Sequence, residues 1–270
     1  MLVLVEKDPD ALGTDERRDR ILALVESSGF ARVVDLSAAF GVSTVTVRSD
    51  LDALAERGAV RRIRGGAMAT DGAALRERPF EEVQVEAVAE KAKIATAAVD
   101  LIDPGMGVIL DVGTTAAAIA QELLRREQLT DVTVITSGLS IALMLEPAIP
   151  RLQVIVSGGA LRPLQHSLVS PLGTVVLQQV HADIAFIGCN GIDAVAGVTN
   201  VNLPEAEIKR AMIASAAEVV VVADGSKVGR ARLGMIAPAT DVDMLITDAS
   251  APRSALDELR ALDGPHVVVA

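Results

Sequence analysis

Several short polar stretches in this 270-residue chain carry groups from which an anion- and hydroxyl-binding site can be built. Asp111-Val112-Gly113-Thr114-Thr115 follows an apolar run at 108–110 and precedes a helical pattern at 116–125. Gly113 would let the backbone approach an anion. Thr114, Thr115 and the unpaired amides of the helix's first turn would donate hydrogen bonds to it, and the helix dipole would assist. Glycine and threonine are equally the ordinary residues of a strand-to-helix turn, so this loop alone leaves both readings open. Thr136-Ser137-Gly138 and Ser157-Gly158-Gly159 leave two further apolar runs with little bulk and fit either a pocket wall or a plain turn. Gly188-Cys189-Asn190-Gly191-Ile192-Asp193 precedes Glu205 and Lys209, and Asp224-Gly225-Ser226-Lys227 comes last. Together they supply amides, carboxylates and two lysines suited to hydroxyls and a phosphate.

Other chemistries have weaker support. His166, His181 and His266 lack zinc-ligand spacing, so neither a metal nor a cofactor is expected. The lone Cys189 rules out an internal disulfide framework, fits a reducing compartment and reads as a small buried hydrophobe. Four phenylalanines, with no Trp or Tyr, argue against stacking on single strands or RNA.

The elements that must position these loops are legible as seven continuous apolar runs, at 108–110, 132–135, 154–156, 184–187, 219–223, 244–247 and 266–269. Such runs read as buried parallel strands of an open α/β sheet, a fold that binds ligands at its strand ends. A single long helix is expected over 81–101, with Val85, Val88, Ile94, Ala95 and Ala98 as its apolar stripe. No apolar span reaches 20 residues, so no membrane partner is expected.

The first 67 residues have another character. Three amphipathic helices are expected: one from Thr14 or Asp15 with Ile21, Leu22, Leu24 and Val25, stopped by Gly29; one with Val33, Val34, Leu36 and Phe40, broken at Gly41; and one opening on Ser43 with Val45, Val47, Leu51 and Leu54. A short strand carrying Arg61, Arg62 and Arg64 then ends at Gly65-Gly66. This is the order of a winged helix-turn-helix. Ser43, Thr44 and Thr46 are small enough to approach base edges, Arg48 suits a phosphate or guanine, and the wing arginines suit the adjacent backbone or minor groove. Winged folds also dock proteins, and a solvated face also carries arginines. The net charge of −11 is unevenly spread: residues 15–66 carry nine arginines against eight acids, a net of +1, and residues 67–270 carry −10. Asp50 is expected to orient Arg48 or cap a neighbour, since an acid facing phosphate would repel it.

Residues 17–67 resemble the N-terminal domain of the DeoR family of bacterial transcriptional regulators. The pattern is carried by Val42-Ser43, Thr46-Val47-Arg48-Ser49-Asp50-Leu51 and Arg62-Ile63-Arg64-Gly65-Gly66-Ala67. The similarity continues through Asp111 to Thr115, Asn190-Gly191, Glu205 with Lys209, and Asp224 to Lys227. The resemblance implies a small α+β winged helix-turn-helix domain followed by an α/β body with a mostly parallel sheet similar to ribose-5-phosphate isomerase. It further implies a repressor of carbohydrate genes that a phosphorylated sugar releases from double-stranded operator DNA. Ser137, Ser170 and Gly225 depart from the family pattern, and Ser137 bears on which sugar fits.

The expected organisation is a disordered lead at 1–14, the DNA-binding domain at 15–67, a linker at 68–80 and the effector domain at 81–270. A cytoplasmic homo-oligomer, dimer or tetramer, follows if the operator is symmetric. The competing expectation is a sugar-phosphate isomerase with an appended DNA-binding domain, in which Asp111, Asp193, Glu205, Lys209, Asp224 and Lys227 supply acid-base groups. The complete reader head favours the regulator.

Overall fold

The computed structural model describes residues 13–28, 30–69 and 77–270. The lead expected at 1–14 lies outside the described residues except for Gly13 and Thr14, as do Gly29 and residues 70–76 of the expected linker. The chain divides into two compact units, Met1–Arg76 and Glu77–Ala270.

The first unit contains α1 (Thr14–Ser28), β1 (Phe30–Arg32), α2 (Val33–Phe40), α3 (Thr44–Glu56), β2 (Val60–Ile63) and β3 (Gly66–Ala69). The strands form an antiparallel sheet in the order β1-β3-β2. Gly41, at φ 64°, ends α2 in the left-handed region that glycine adopts without strain. Ser43 then caps α3, its Oγ accepting from the Thr46 amide at 3.1 Å. Ile21, Val25, Val33, Leu36, Val47, Leu51, Leu54 and Val60 form the core. Val34 and Val45, expected in that core, are 65% and 71% exposed. In α3 the helical period that buries Val47, Asp50, Leu51 and Leu54 turns Val45 to the opposite face. The wing's return strand β3 extends into the stretch expected to be linker.

The second unit opens with α4 (Phe80–Gln84) and α5 (Val88–Val99), followed by β4 (Gly107–Leu110), α6 (Thr114–Arg125), β5 (Val132–Thr136), α7 (Leu139–Leu145) and β6 (Leu152–Val156). Next come β7 (Ala160–Arg162), β8 (Ser167–Val169), α8 (Gly173–Leu177), β9 (Ala182–Gly188), β10 (Gly191–Asp193), β11 (Gly197–Asn200) and α9 (Leu203–Ala214). The unit closes with β12 (Ala216–Val222), β13 (Gly234–Ala237), β14 (Met244–Thr247), α10 (Arg253–Arg260) and β15 (His266–Val269). Seven strands make one parallel sheet in the order β15-β14-β12-β9-β4-β5-β6. Each holds one of the seven apolar runs, that at 219–223 running one residue past the end of β12.

Apolar side chains of α5, α6 and α7 cover one face of this sheet, and those of α8, α9 and α10 cover the other. Each fully buried Ile or Leu of these layers, such as Ile109 and Leu110, contributes roughly 1.5–3 kcal/mol. The sheet is therefore a rigid floor for the loops at its strand ends. Two small antiparallel additions, β7–β8 and β10-β11-β13, lie outside the seven runs.

The helix expected over 81–101 is interrupted. Ala87 takes a left-handed φ of 49° between α4 and α5. Val85 and Val88, placed in the expected stripe, are 76% and 60% exposed. The break has a polar cause: the buried Lys91 ammonium donates to the carbonyls of Val83 at 2.9 Å and Glu86 at 2.7 Å, satisfying acceptors that a helix end leaves open.

Candidate functional site

The strand ends of the second unit gather most of the polar residues singled out in the sequence. Asp111, just beyond β4, pairs with Lys209 of α9, and both side chains are nearly fully buried. The same oxygen, Asp111 Oδ2, accepts from the Gly188 amide at 2.8 Å, and Lys209 Nζ donates to the Gly188 carbonyl at 3.1 Å. One ion pair thus ties the ends of β4 and β9 to α9. Asp111 Oδ1 accepts no hydrogen bond among the described residues. A buried carboxylate oxygen left so is costly unless a donor arrives. Burial alone would lower the Lys209 pKa, yet the carboxylates of Asp111 and Glu205 hold it above the ordinary lysine value.

Glu205 stands in the first turn of α9, its amide capped by Asn202 Oδ1 at 3.0 Å. Its carboxylate accepts from Arg162, from Ser167 Oγ at 2.6 Å and from Asn200 Nδ2 at 3.3 Å. A carboxylate so committed is a hub for β7, β8 and β11 and is poorly placed to take up a proton from a substrate.

A cavity of about 390 Å³ is bordered by Lys91, Asp224, Ser226, Lys227 and Ser250, with Glu86 and Glu90 at its side. Asp224 Oδ1 accepts from the Ser226 amide at 3.1 Å and fixes the turn that presents Lys227. The Lys227 ammonium makes no hydrogen bond or ion pair among the described residues. Burial pushes the Lys91 pKa below the ordinary lysine value, with Lys227 adding to the effect and Asp224 opposing it. Burial pushes the Cys189 thiol up to about 12, with the charges of Lys209 and Lys227 opposing the shift. The sequence reading missed Lys91. The signal was a lysine on the stripe of Ile94, Ala95 and Ala98, a charge where the helical period demands an apolar residue.

The remaining expected residues have mixed surroundings. Gly113 precedes α6 at φ 99°, and Thr114 and Thr115 open the helix, half-buried. Thr114 and Lys91 also border a second cavity, of about 210 Å³. Ser137 is buried, and its carbonyl accepts from the Leu168 amide at 2.8 Å. Gly158 and Gly159 have φ of 74° and 125°, and a Cβ on Gly159 would lie 2.3 Å from the Val169 carbonyl oxygen. That backbone requires glycine. Asn190 Oδ1 accepts from the Val201 amide at 2.9 Å, and Gly191 begins β10. Asp193, one of the isomerase reading's acid-base groups, instead accepts from the amides of Val195 and Ala196 and shapes the β10–β11 turn.

In the first unit, Thr44 begins α3, while Ser43 and Thr46 are 2.8 Å apart through their hydroxyls. Arg48 is exposed beside Val45, Ser49 and Asp52. Asp50 neither orients Arg48 nor caps a neighbour. It is buried and accepts from Arg17 Nε at 2.7 Å and Arg18 Nε at 2.9 Å, so α1 supplies partners that the pattern within α3 did not reveal. Arg62 donates to Asp52 at 2.8 Å and to the Gly66 carbonyl at 2.8 Å, bracing the wing against α3. Arg61 reaches Met68 Sδ at 3.8 Å. Arg64 is exposed at the wing turn, and like Arg48 it has no ion-pair partner among the described residues.

A winged helix-turn-helix carrying outward cations, joined to a parallel-sheet domain with a polar pocket at its strand ends, defines a DNA-binding regulator with a ligand-sensing module. The DeoR-like helix-turn-helix domain model matches residues 17–72, and the DeoR C-terminal sensor domain model matches residues 86–249. The chain belongs to the DeoR family of transcriptional regulators. It is 39% identical to a protein of Escherichia coli O157:H7 named for the aga operon as its transcriptional repressor, over 92% of this chain and 91% of that one. It is 32% identical to the regulator GlpR of Haloferax volcanii, over 91% and 94% of the two chains. The glycerol-3-phosphate regulon repressor of E. coli K12 is 29% identical over 90% and 94%. Among solved structures, ribose-5-phosphate isomerase A of Methanocaldococcus jannaschii aligns with 51% of this chain and 52% of its own at 25% identity and a TM-score of 0.37. Among the described residues no helix is long and apolar enough to cross a membrane.

Proposed function

We propose that this regulator is a cytoplasmic repressor of carbohydrate genes, acting as a homo-oligomer and released from its operator by a phosphorylated sugar. The observation that carries this reading is the placement of Lys91, Lys227 and Asp224 around one cavity beyond the end of β12, with the buried Asp111–Lys209 pair beyond the end of β4. Two ammonium groups suit a phosphate, the carboxylates and backbone amides suit hydroxyls, and the first turn of α6 adds donors. Ser43, Thr44, Thr46, Arg48 and Arg64 would meet DNA, with Arg61 and Arg62 fixing the wing's approach. A relative named for the glycerol-3-phosphate regulon supports a phosphorylated effector. An effector that favours one arrangement of the oligomer by about 1–3 kcal/mol would change operator affinity 5- to 150-fold.

A binding domain is favoured over an isomerase by the Glu205 carboxylate, which already accepts from Arg162, Ser167 and Asn200. A thermal-shift panel of phosphorylated sugars, followed by operator retardation, tests the proposal. A stabilising sugar should release DNA from the parent, and Lys227→Ala should bind DNA as before while responding less. Isomerase turnover at ordinary enzyme rates, lost on Glu205→Gln, would overturn the pure-sensor reading.

A further inference from the structure

The hairpin formed by β7 and β8 grips the start of the second unit at several points. Arg162 pairs with Glu77, the first residue of that unit. Gln165 Nε2 donates to the Arg78 carbonyl at 2.7 Å, His166 Nε2 lies 3.1 Å from Glu81, and the His166 ring lies 5.5 Å from that of Phe80. In sequence, residues 77–81 directly follow the stretch that leads from the DNA-binding unit. The same hairpin reaches the first turn of α9, since Arg162 and Ser167 both donate to Glu205. Arg162 is therefore one guanidinium shared by two carboxylates, Glu205 in the first turn of α9 and Glu77 just before α4. Burial pushes the Glu77 carboxyl above its ordinary pKa, Arg162 opposes this and Glu205 adds to it, so the Glu77 contact is the poorly compensated one.

We infer that Arg162 is a positioning residue that couples the pocket to residues 77–81, tightening on Glu77 whenever a hydroxyl-bearing ligand takes over Glu205. The trigger rests on the sugar-phosphate reading. Hydroxyls donated to Glu205 replace the guanidinium there, and its Nη1, already 3.5 Å from the second oxygen of Glu77, closes on that oxygen to complete the planar fork that binds a carboxylate best. A polyhydroxy ligand then stiffens the segment that the DNA-binding unit hangs from in sequence.

The test needs no ligand, because Glu205→Gln removes the charge that competes for Arg162. Hydrogen exchange of the full chain is followed at the amides of Glu82, Val83 and Glu86, all hydrogen-bonded within the α4 turn. Glu205→Gln should slow their exchange and Arg162→Ala should speed it, each by about fivefold, the equivalent of one modest hydrogen bond. Glu77→Ala should match Arg162→Ala, and it provides the measurement should Glu205→Gln fail to fold. A merely structural role for Arg162 and Glu205 predicts faster exchange in both variants, so the opposite signs identify coupling. Faster exchange in folded Glu205→Gln, or parental exchange in Glu77→Ala, overturns the inference. The sugar-phosphate reading fails separately, through the absence of any thermal shift in the panel of phosphorylated sugars.

Discussion

The two units use charge in opposite ways. In the first, Arg48 and Arg64 point outward without ion-pair partners among the described residues, while the fold is held by Asp50 with Arg17 and Arg18 on another face of α3. In the second, Asp111, Lys209 and Glu205 are the candidate ligand groups and also the ties that hold β4, β9 and α9 together. A DNA backbone is a large anion met at the surface, so its cations need no shelter. A small hydroxylated ligand must be enclosed, and enclosure forces the recognising groups to satisfy one another while the pocket is empty. Function and stability are thus separable in the reader and joined in the sensor.

The strongest challenge to that contrast is Lys209→Met. It strands the Asp111 carboxylate in a dry site, and breaking a buried pair from one side costs about 3–5 kcal/mol. The midpoint of chemical denaturation should fall accordingly, and adding Asp111→Leu should restore much of the loss. A stable Lys209→Met protein that merely loses its effector response would break the comparison, since binding and folding would then be separable in the sensor too. Asp50→Ala should have a smaller effect, about 2 kcal/mol, because the stranded arginines are partly exposed and can turn to water. Calorimetry should show the reader melting earlier while the sensor transition stays in place. Arg48→Ala should leave both transitions unchanged and weaken operator binding by about 1–3 kcal/mol, the range for a side chain that reads a base edge. Full retardation by Arg48→Ala would remove α3 from the DNA interface.

How far the sequence reveals these features follows from the same physics. All seven parallel strands are legible because strands buried on both faces must be continuously apolar. Helices α2 and α3 are legible from their period and from the Gly41 and Ser43 signals at their ends. The strands β7, β8, β10 and β11 are only three or four residues long and mix polar with apolar positions, too short for a period to emerge. At the site, Asp111, Glu205, Asp224 and Lys227 stand out as polar residues at strand ends or helix starts, and Lys209 as the residue one helical turn after Glu205. Arg162 does not, since its partners lie 85 and 43 residues away, and nothing local separates it from a solvated arginine. Lys91 is intermediate, with its place on an apolar stripe as the trace and the two carbonyls it captures as the explanation.

The smallest expected effect sharpens the comparison most finely, because it concerns a charge that belongs to neither the DNA face nor the ligand cavity. Burial raises the Glu77 pKa despite Arg162, so the ionised form is a net burden in the folded state. An acid with a raised folded-state pKa contributes stability that is present below its ordinary value of 4.5 and is lost as pH rises through the folded value. Glu77→Gln, which keeps an oxygen for Arg162 without the charge, should therefore be the more stable protein at neutral pH. The advantage should shrink as pH falls toward 4.5, where the parent takes up the proton itself. Parallel denaturation of both proteins across that range reads the difference directly. An advantage that grows toward acid would mean that Arg162 stabilises the Glu77 charge outright, and the sensor's lead segment would then be clamped as firmly as the reader's Asp50.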